Sequence, residues 1–285
     1  MYNLFACLVA CSKRGFGIFE LTGKRSARGS VGRVAERQAR LAEHVLEKSS
    51  AGIKDLTELF GVSLITIHRD LDDLERQGIL RKLRGYVTAQ PSSRFDSSVR
   101  YRLRTATADK EALARAALAE VRPGDSVILD ESTTALMAAR LLPEKSPVTV
   151  ITNFVMAMNE LQGVRGIDLI MLGGEYLPAL EAFGGAVCEA SLSVVRADVV
   201  LMSTSAVSGC FALHQDGEIM RGKRAMMNSA KRRVLLVDHT KFDKVALHRL
   251  AHLSEFDLVI VDAKVGDDQL EELRENKIAF KVASP

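Results

Sequence analysis

Six short apolar runs recur between residues 126 and 262: SVILD from Ser126, VTVIT from Val148, DLIML from Asp168, DVVLM from Asp198, RVLLVD from Arg233 and DLVIVD from Asp257. Each has the length of a strand and is apolar almost throughout, so neither face of the strand it would form can look at water. Such strands need cover on both sides. The stretches between them supply it, because they carry apolar residues at helical spacing, beginning with a helix expected over about 109–120. The alternation predicts an α/β domain over 109–285, with a mostly parallel sheet and helices on both faces. In open sheets of this kind, ligands bind beyond the carboxyl ends of the strands.

A chain of 285 residues suggests about two domains at roughly 100 to 200 residues each, which leaves the front for a second, smaller one. Charge divides in the same way. Residues 1–104 hold 19 Lys and Arg against 11 Asp and Glu, a net +8, while the remainder holds 20 against 25, a net −5. The basic half suits a polyanion such as nucleic acid, although a merely solvated basic surface would count the same. The four cysteines, at 7, 11, 188 and 210, form no C-x-x-C pair and no disulfide framework, so a reduced, cytoplasmic protein is expected, with no metal site and no cofactor. The opening MYNLFACLVAC has no basic segment ahead of it and is too short to span a bilayer, so no signal peptide or membrane partner is expected. Residues 12–32 are rich in Gly, Ser and basic residues without periodicity, and 1–32 are read as a poorly ordered extension.

The small domain falls at 33–90. Val34, Gln38, Leu41 and Val45 predict a helix over about 33–48, and Ile53, Leu56, Leu59 and Phe60 a shorter one over about 53–60. Gly61 permits a tight turn into Ser63, an N-cap for a third helix running to Gln77, where Gly78 stops it. Leu64, Ile67, Leu71 and Leu74 form that helix's apolar stripe. Its opposite surface offers Ile65 and Arg69, flanked by Thr66 and His68. After Gly78, ILRKLRGYVT reads as a two-stranded hairpin carrying Arg81, Lys82 and Arg84. The third helix is then expected in a DNA major groove, with Ser63, Ile65, Thr66, His68 and Arg69 toward bases or phosphates and the hairpin wing on neighbouring phosphates. An ordinary three-helix unit with a solvated charged face would show the same periodicity. Residues 91–108, with Pro, Ser and four arginines, are read as a linker.

In the rear domain, four strand ends carry polar stations. LDESTT places Asp130 at a strand end and Ser132, Thr133 and Thr134 at the next helix N-terminus, where free N–H groups and hydroxyls can cradle a phosphate. ITN adds Asn153, MLGGE adds Gly173 and Gly174, and VDHTK adds Asp238 and Lys241. A helix cap and a glycine turn are the plain alternatives for each, but convergence on one sheet edge favours a ligand site. The threonines and Lys241 would hold an anion, and Asp130, Asn153 and Asp238 its hydroxyls.

GVSLITIHRDLDDLERQGILRK resembles the winged helix-turn-helix of DeoR-family bacterial transcription regulators, with Val62, Ser63, Thr66, Ile67, Arg69, Asp70, Leu71, Leu74, Glu75, Gly78, Leu80 and Arg81 matching the family pattern. His68 stands where the family has arginine, and RKLRGY replaces its usual R-x-H-G-G-A. The rear stations DESTT, TN, LGG and DHTK resemble the same family's sensor domain, which is related to sugar-phosphate isomerases and glucosamine-phosphate deaminases. Ser132 replaces a glycine there, and STSAVSG an Asp-Gly or Ser-Gly loop. The resemblance covers about residues 33–282. It implies a cytoplasmic repressor of carbohydrate metabolism genes, released from double-stranded operator DNA by a phosphorylated sugar and acting as a homo-oligomer, dimer or tetramer. Two other readings stay open: an isomerase- or deaminase-like enzyme, disfavoured because STSAVSG offers only hydroxyls, and a constitutive DNA-binding protein with a degenerate sensor.

Overall fold

The computed structural model describes residues 50–76, 80–88, 99–103 and 105–284, together with single residues between 34 and 48. The extension read over 1–32, the helix stop at Gln77–Gly78 and residues 91–98 of the linker lie outside the described residues.

The described residues among 34–48 are helical, with Leu41 and Val45 fully enclosed. Strand β1 follows (Ser50–Gly52), then helices α1 (Ile53–Phe60) and α2 (Leu64–Arg76), then β2 (Arg81–Leu83) and β3 (Tyr86–Thr88). Gly61 takes a φ of 61°, in the left-handed region, and so reverses the chain between α1 and α2 within a few residues. The wing has three strands rather than two, because Ser50–Gly52 adds antiparallel to the free edge of β3, opposite β2. SAG carries no β-branched or aromatic residue, so its pairing had no local signal.

Ile53, Leu56, Ile67, Leu71, Leu74, Leu80 and Val87 join Leu41 and Val45 in one apolar cluster. Three expected members are missing, of which Val34 is 37% exposed. Leu64 is 48% exposed because it opens α2 and has no preceding turn of its own helix to lean over. Leu59 is 58% exposed because at 100° per residue it falls well off the line of Ile53 and Leu56. Asp70, on the core side of α2, accepts from Arg37 Nε at 2.6 Å, Arg37 Nη2 at 3.1 Å and Gln38 Nε2 at 3.1 Å, which ties α2 to the first helix.

The rear domain starts earlier than 109. Residues 99–103, expected within the linker, include α3 (Val99–Arg102); Val99 is 1% exposed in the rear core, and its N–H donates to the Ala179 carbonyl. Then come α4 (Thr107–Leu118), β4 (Ser126–Leu129), α5 (Thr133–Leu141), β5 (Val148–Thr152), α6 (Val155–Leu161), β6 (Ile167–Met171), the hairpin β7 (Glu175–Leu177) and β8 (Ala182–Gly184), and α7 (Gly185–Ser193). After these stand β9 (Ala197–Ser203), β10 (Ala206–Ser208), β11 (Phe211–His214), α8 (Gly217–Asn228), β12 (Ala230–Val237), β13 (His248–His252), β14 (Leu258–Val261), α9 (Asp267–Glu275) and β15 (Phe280–Val282).

All six apolar runs are strands of one parallel sheet in the order β15-β14-β12-β9-β4-β5-β6. β15 was not expected, since FKV has too few residues to show a pattern. A small antiparallel sheet, β10-β11-β13, lies outside it. From β4 the chain builds to one side through β5 and β6, and from β9 to the other through β12, β14 and β15. Right-handed crossovers in opposite directions must place helices on opposite faces. Accordingly α4, α5 and α6 share one core cluster with the sheet, and α7, α8 and α9 the other. The order reverses between β4 and β9, and the crevice beyond their carboxyl ends is where this architecture places a ligand.

Candidate functional site

On the small domain, Thr66 N–H donates to Ser63 Oγ at 3.3 Å, the expected cap, and the two hydroxyl oxygens lie 2.9 Å apart. Ile65 is 81% exposed and Arg69 is exposed, with Thr66 and His68 half-buried beside them. In the wing, Arg81 and Arg84 are exposed, whereas the Lys82 ammonium sits 2.6 Å from Asp72, whose carboxyl it holds below the usual range. Lys82 N–H also donates to Glu75, fastening the wing to α2. The α2 surface and the wing thus present one basic, partly apolar face.

At the sheet reversal, a narrow cavity of about 20 Å³ is lined by Ser132, Thr133 and Thr134 from the end of β4, Ser203, Thr204 and Ser205 from the end of β9, Lys241 from beyond β12, and Arg102, Lys110, His214 and Lys223. Hydroxyls and cations surround it. Under its floor, fully enclosed Asp130 accepts from Ser132 N–H and Oγ, from Ser203 N–H at 2.8 Å and from Lys223 Nζ at 2.5 Å. Lys223 is also 2.8 Å from Glu131. One ammonium therefore serves two buried carboxylates. Burial alone would drive its proton off, but the adjacent Asp130 and Glu131 outweigh that and hold Lys223 protonated, above its ordinary value. Burial likewise works to raise Glu131, but the Lys223 charge dominates and sets it at about 2.

Four of the nine expected ligand residues, Ser132, Thr133, Thr134 and Lys241, line this cavity. The others make contacts beside it, though Asn153 Oδ1 and Asp238 Oδ2 are enclosed without a hydrogen-bond partner. Asp130 braces the floor with both oxygens engaged. Asn153 Nδ2 donates to Phe183 O at 2.8 Å, and Asp238 Oδ1 accepts from Thr240 N–H at 3.0 Å, closing the turn that carries Lys241. Gly173 and Gly174 follow β6; a side chain on Gly174 would come within 2.3 Å of Gly184 O, so that glycine serves a close approach to β8.

Lys110 and Lys223 were overlooked, although a signal existed. Lys110 falls in register with Leu113 and Ala117, and Lys223 with Ile219 and Met226, so each lysine interrupts the apolar stripe of its own helix. A lysine there must find an enclosed partner. Lys110 Nζ meets the carbonyls of Arg102 and Thr105, and the Arg102 carbonyl also lies 3.5 Å from Thr133 Oγ1. Asp109, His239 and Asp262 bring donor atoms within 4.8 Å of one another, but Lys264 Nζ, 2.8 Å from Asp109, gives this cluster a cation of its own.

Burial first, then the Lys223 charge, depress His214 to about 4, and its Nδ1 accepts from Asp216 N–H. A histidine depressed below its unfolded value of about 6.5 favours folding above that pH and loses the contribution as pH falls toward 4. Stability is expected to drop by about 2 kcal/mol between pH 6.5 and 4 from this group, allowing for its partial exposure. The His214→Gln protein should lack that component of the urea-unfolding pH profile, and an identical slope in both proteins would refute it.

Residues 105–263 match the DeoR C terminal sensor domain, and residues 37–92 the DeoR-like helix-turn-helix domain. The chain is 31% identical over 244 residues to a putative aga operon transcriptional repressor of Escherichia coli O157:H7, covering 84% of this chain and 90% of that protein. It is 28% identical to the glycerol-3-phosphate regulon repressor of E. coli K12, covering 87% and 98%. Among solved structures, ribose 5-phosphate isomerase A of Methanocaldococcus jannaschii aligns with a TM-score of 0.37 and 18% identity, over 48% of this chain and about half, 55%, of that one. No helix among the described residues is long and apolar enough to cross a membrane.

Proposed function

We propose, for a chain that belongs to the DeoR family of DNA-binding transcriptional regulators, that it represses carbohydrate metabolism genes in the cytoplasm and leaves its operator when a phosphorylated sugar fills the crevice between β4 and β9. The observation that carries this reading is the joining of hydroxyls from two adjacent strand ends with Lys110 and Lys241 at the sheet reversal. Oriented N–H groups and hydroxyls at the start of α5 suit a phosphate, and an ammonium from a third strand end can close over it. Lys241→Ala and Thr133→Ala should each need at least about tenfold more sugar phosphate to release operator DNA, the loss of one charge-assisted contact, with DNA affinity alone as the control. If both respond at wild-type concentrations, the phosphate binds elsewhere.

An enzymatic role is disfavoured because the carboxylates nearest the crevice, Asp130 and Glu131, are both engaged by Lys223 and poorly placed to shuttle protons. Measurable turnover of pentose, hexose or amino-sugar phosphates would reverse that judgement.

For the operator, Arg69→Ala should weaken binding by about 1 to 3 kcal/mol and relax preference at one position of each half-site. Equal loss on every sequence would make Arg69 a phosphate contact. Arg84→Ala should instead lower affinity on all sequences and reduce the salt slope by about one unit. Pairing of half-sites calls for a homo-oligomer, dimer or tetramer, and a monomer in sedimentation at DNA-saturating concentrations would contradict it.

A further inference from the structure

The seven-stranded sheet ends on two unlike edges. β15 is three residues long and carries exposed Lys281, the short and charged form in which an edge strand resists pairing. β6 is not protected in that way. It runs five residues, Ile167–Met171, and among the described residues its one strand neighbour is β5. Val148 N–H donates to the Gly166 carbonyl and Leu172 N–H to the Thr152 carbonyl, so the even-numbered residues bond toward β5, and the N–H and C=O groups of Leu169 and Met171 point outward. Ile167 N–H turns back to the Val164 carbonyl at 3.2 Å and is already used.

The surface beside that edge is apolar. Ile170 shares its face of the sheet with Ile151 and Leu172, which are enclosed, yet is itself 43% exposed. α7 packs on the same face: Cys188 and Leu192 enter the core there, and Glu189 reaches Arg221 of α8 at 3.5 Å. At 100° per residue, Val187 and Val194 then fall on the flank turned away from α8 and toward β6, and both are exposed. Apolar surface therefore borders unpaired backbone, a combination that favours association over a solvated edge.

We propose that two copies of this chain join edge to edge through β6, antiparallel about a two-fold axis at Ile170, so that their sheets run on as one. The register follows from the groups on offer. With the axis at Ile170, Leu169 of each copy exchanges both backbone hydrogen bonds with Met171 of the other, and the two Ile170 side chains meet at the closely spaced position between those rungs. An axis at Leu169 would call on the Ile167 N–H and set Asp168 against Ile170, one at Asp168 would oppose two aspartates, and one at Met171 would need Gly173, past the end of the strand. Charge agrees with this choice. Arg165 stands before the strand and Glu175 after it, both exposed, so pairing about Ile170 brings each arginine level with the other copy's glutamate and carries Asp168 beyond the bonded rungs. Such a dimer is one form of the homo-oligomer that paired half-sites call for, and it rests on that reading.

Analytical ultracentrifugation of the full chain is the test. The wild type should sediment as a dimer or tetramer, and Ile170→Asp, which sets two like charges face to face, should raise the dissociation constant about a hundredfold and halve the sedimenting mass. Arg165→Glu should weaken association about tenfold across its two symmetric pairs, and adding Glu175→Arg should restore it, which no folding defect could do. In a Cys7→Ser, Cys11→Ser background, Ile170→Cys should give a disulfide-linked dimer on oxidation and Asp168→Cys should not. An oligomer whose mass survives Ile170→Asp, a charge swap that associates no better than Arg165→Glu alone, or cross-linking at Asp168→Cys in place of Ile170→Cys overturns the β6 interface while leaving the homo-oligomer standing. A monomeric wild type overturns both together.

Discussion

Lys223→Met is expected to cost about 3 to 5 kcal/mol of unfolding free energy, because it removes the one cation from two carboxylates in the interior. Lys223 is 2% exposed, Asp130 0% and Glu131 5% by side chain, so no solvent can take over the lost ion pairs. Methionine fills nearly the same volume, so the loss reflects charge and not a void. The surface offers a contrast: Lys231 lies 2.8 Å from Asp198 but is 65% exposed, and Lys231→Met should cost under about 1 kcal/mol. Neutralising the carboxylates together with the lysine, as Lys223→Met with Asp130→Asn and Glu131→Gln, should recover most of the deficit, since removing a whole buried ion cluster is far milder than breaking one. Urea unfolding of the four proteins decides it. If Lys223→Met and Lys231→Met lose equally little, the interior cluster does not hold the domain together.

The second large effect is expected in the small domain. Leu71 is fully enclosed in a cluster confined to residues 41–87, so Leu71→Ala opens a cavity there and should cost about 2 to 5 kcal/mol. A core of that size rarely supplies more than a few kcal/mol in all. Operator binding should therefore vanish at 37 °C, while the rear domain, with its separate cores on the two sheet faces, keeps its melting temperature and its response to sugar phosphate. A single transition lowered as a whole would mean that the two domains unfold as one.

What was legible in the sequence follows from how far each feature reaches along the chain. The apolar runs and α1 and α2 were plain because burial on a strand or one helix face writes a local period, and the residues that cap those elements stand next to them. Ser50–Gly52 and Phe280–Val282 were not, because they pair with strands that happen to end nearby and have too few side chains to show a pattern. The crevice was half-legible: Ser132, Thr133, Thr134 and Lys241 sit at strand ends that chain order reveals, whereas Lys110 and Lys223 reach it from helix interiors. Asp130 and Asp238 sit in the expected neighbourhood and also accept from backbone N–H groups, contacts that position at a strand end does not reveal.

The placing of α3 gives the molecule a property that neither domain has alone. Arg102 closes that helix and lines the crevice cavity, and its carbonyl meets Lys110. A ligand that draws on Lys110 or Arg102 competes with the contacts that seat this segment. Linkage then works in both directions: by whatever factor the sugar phosphate lowers affinity for the operator, the operator must lower affinity for the sugar phosphate. On that reading a DNA-bound regulator is, by that same factor, a poorer sensor than a free one.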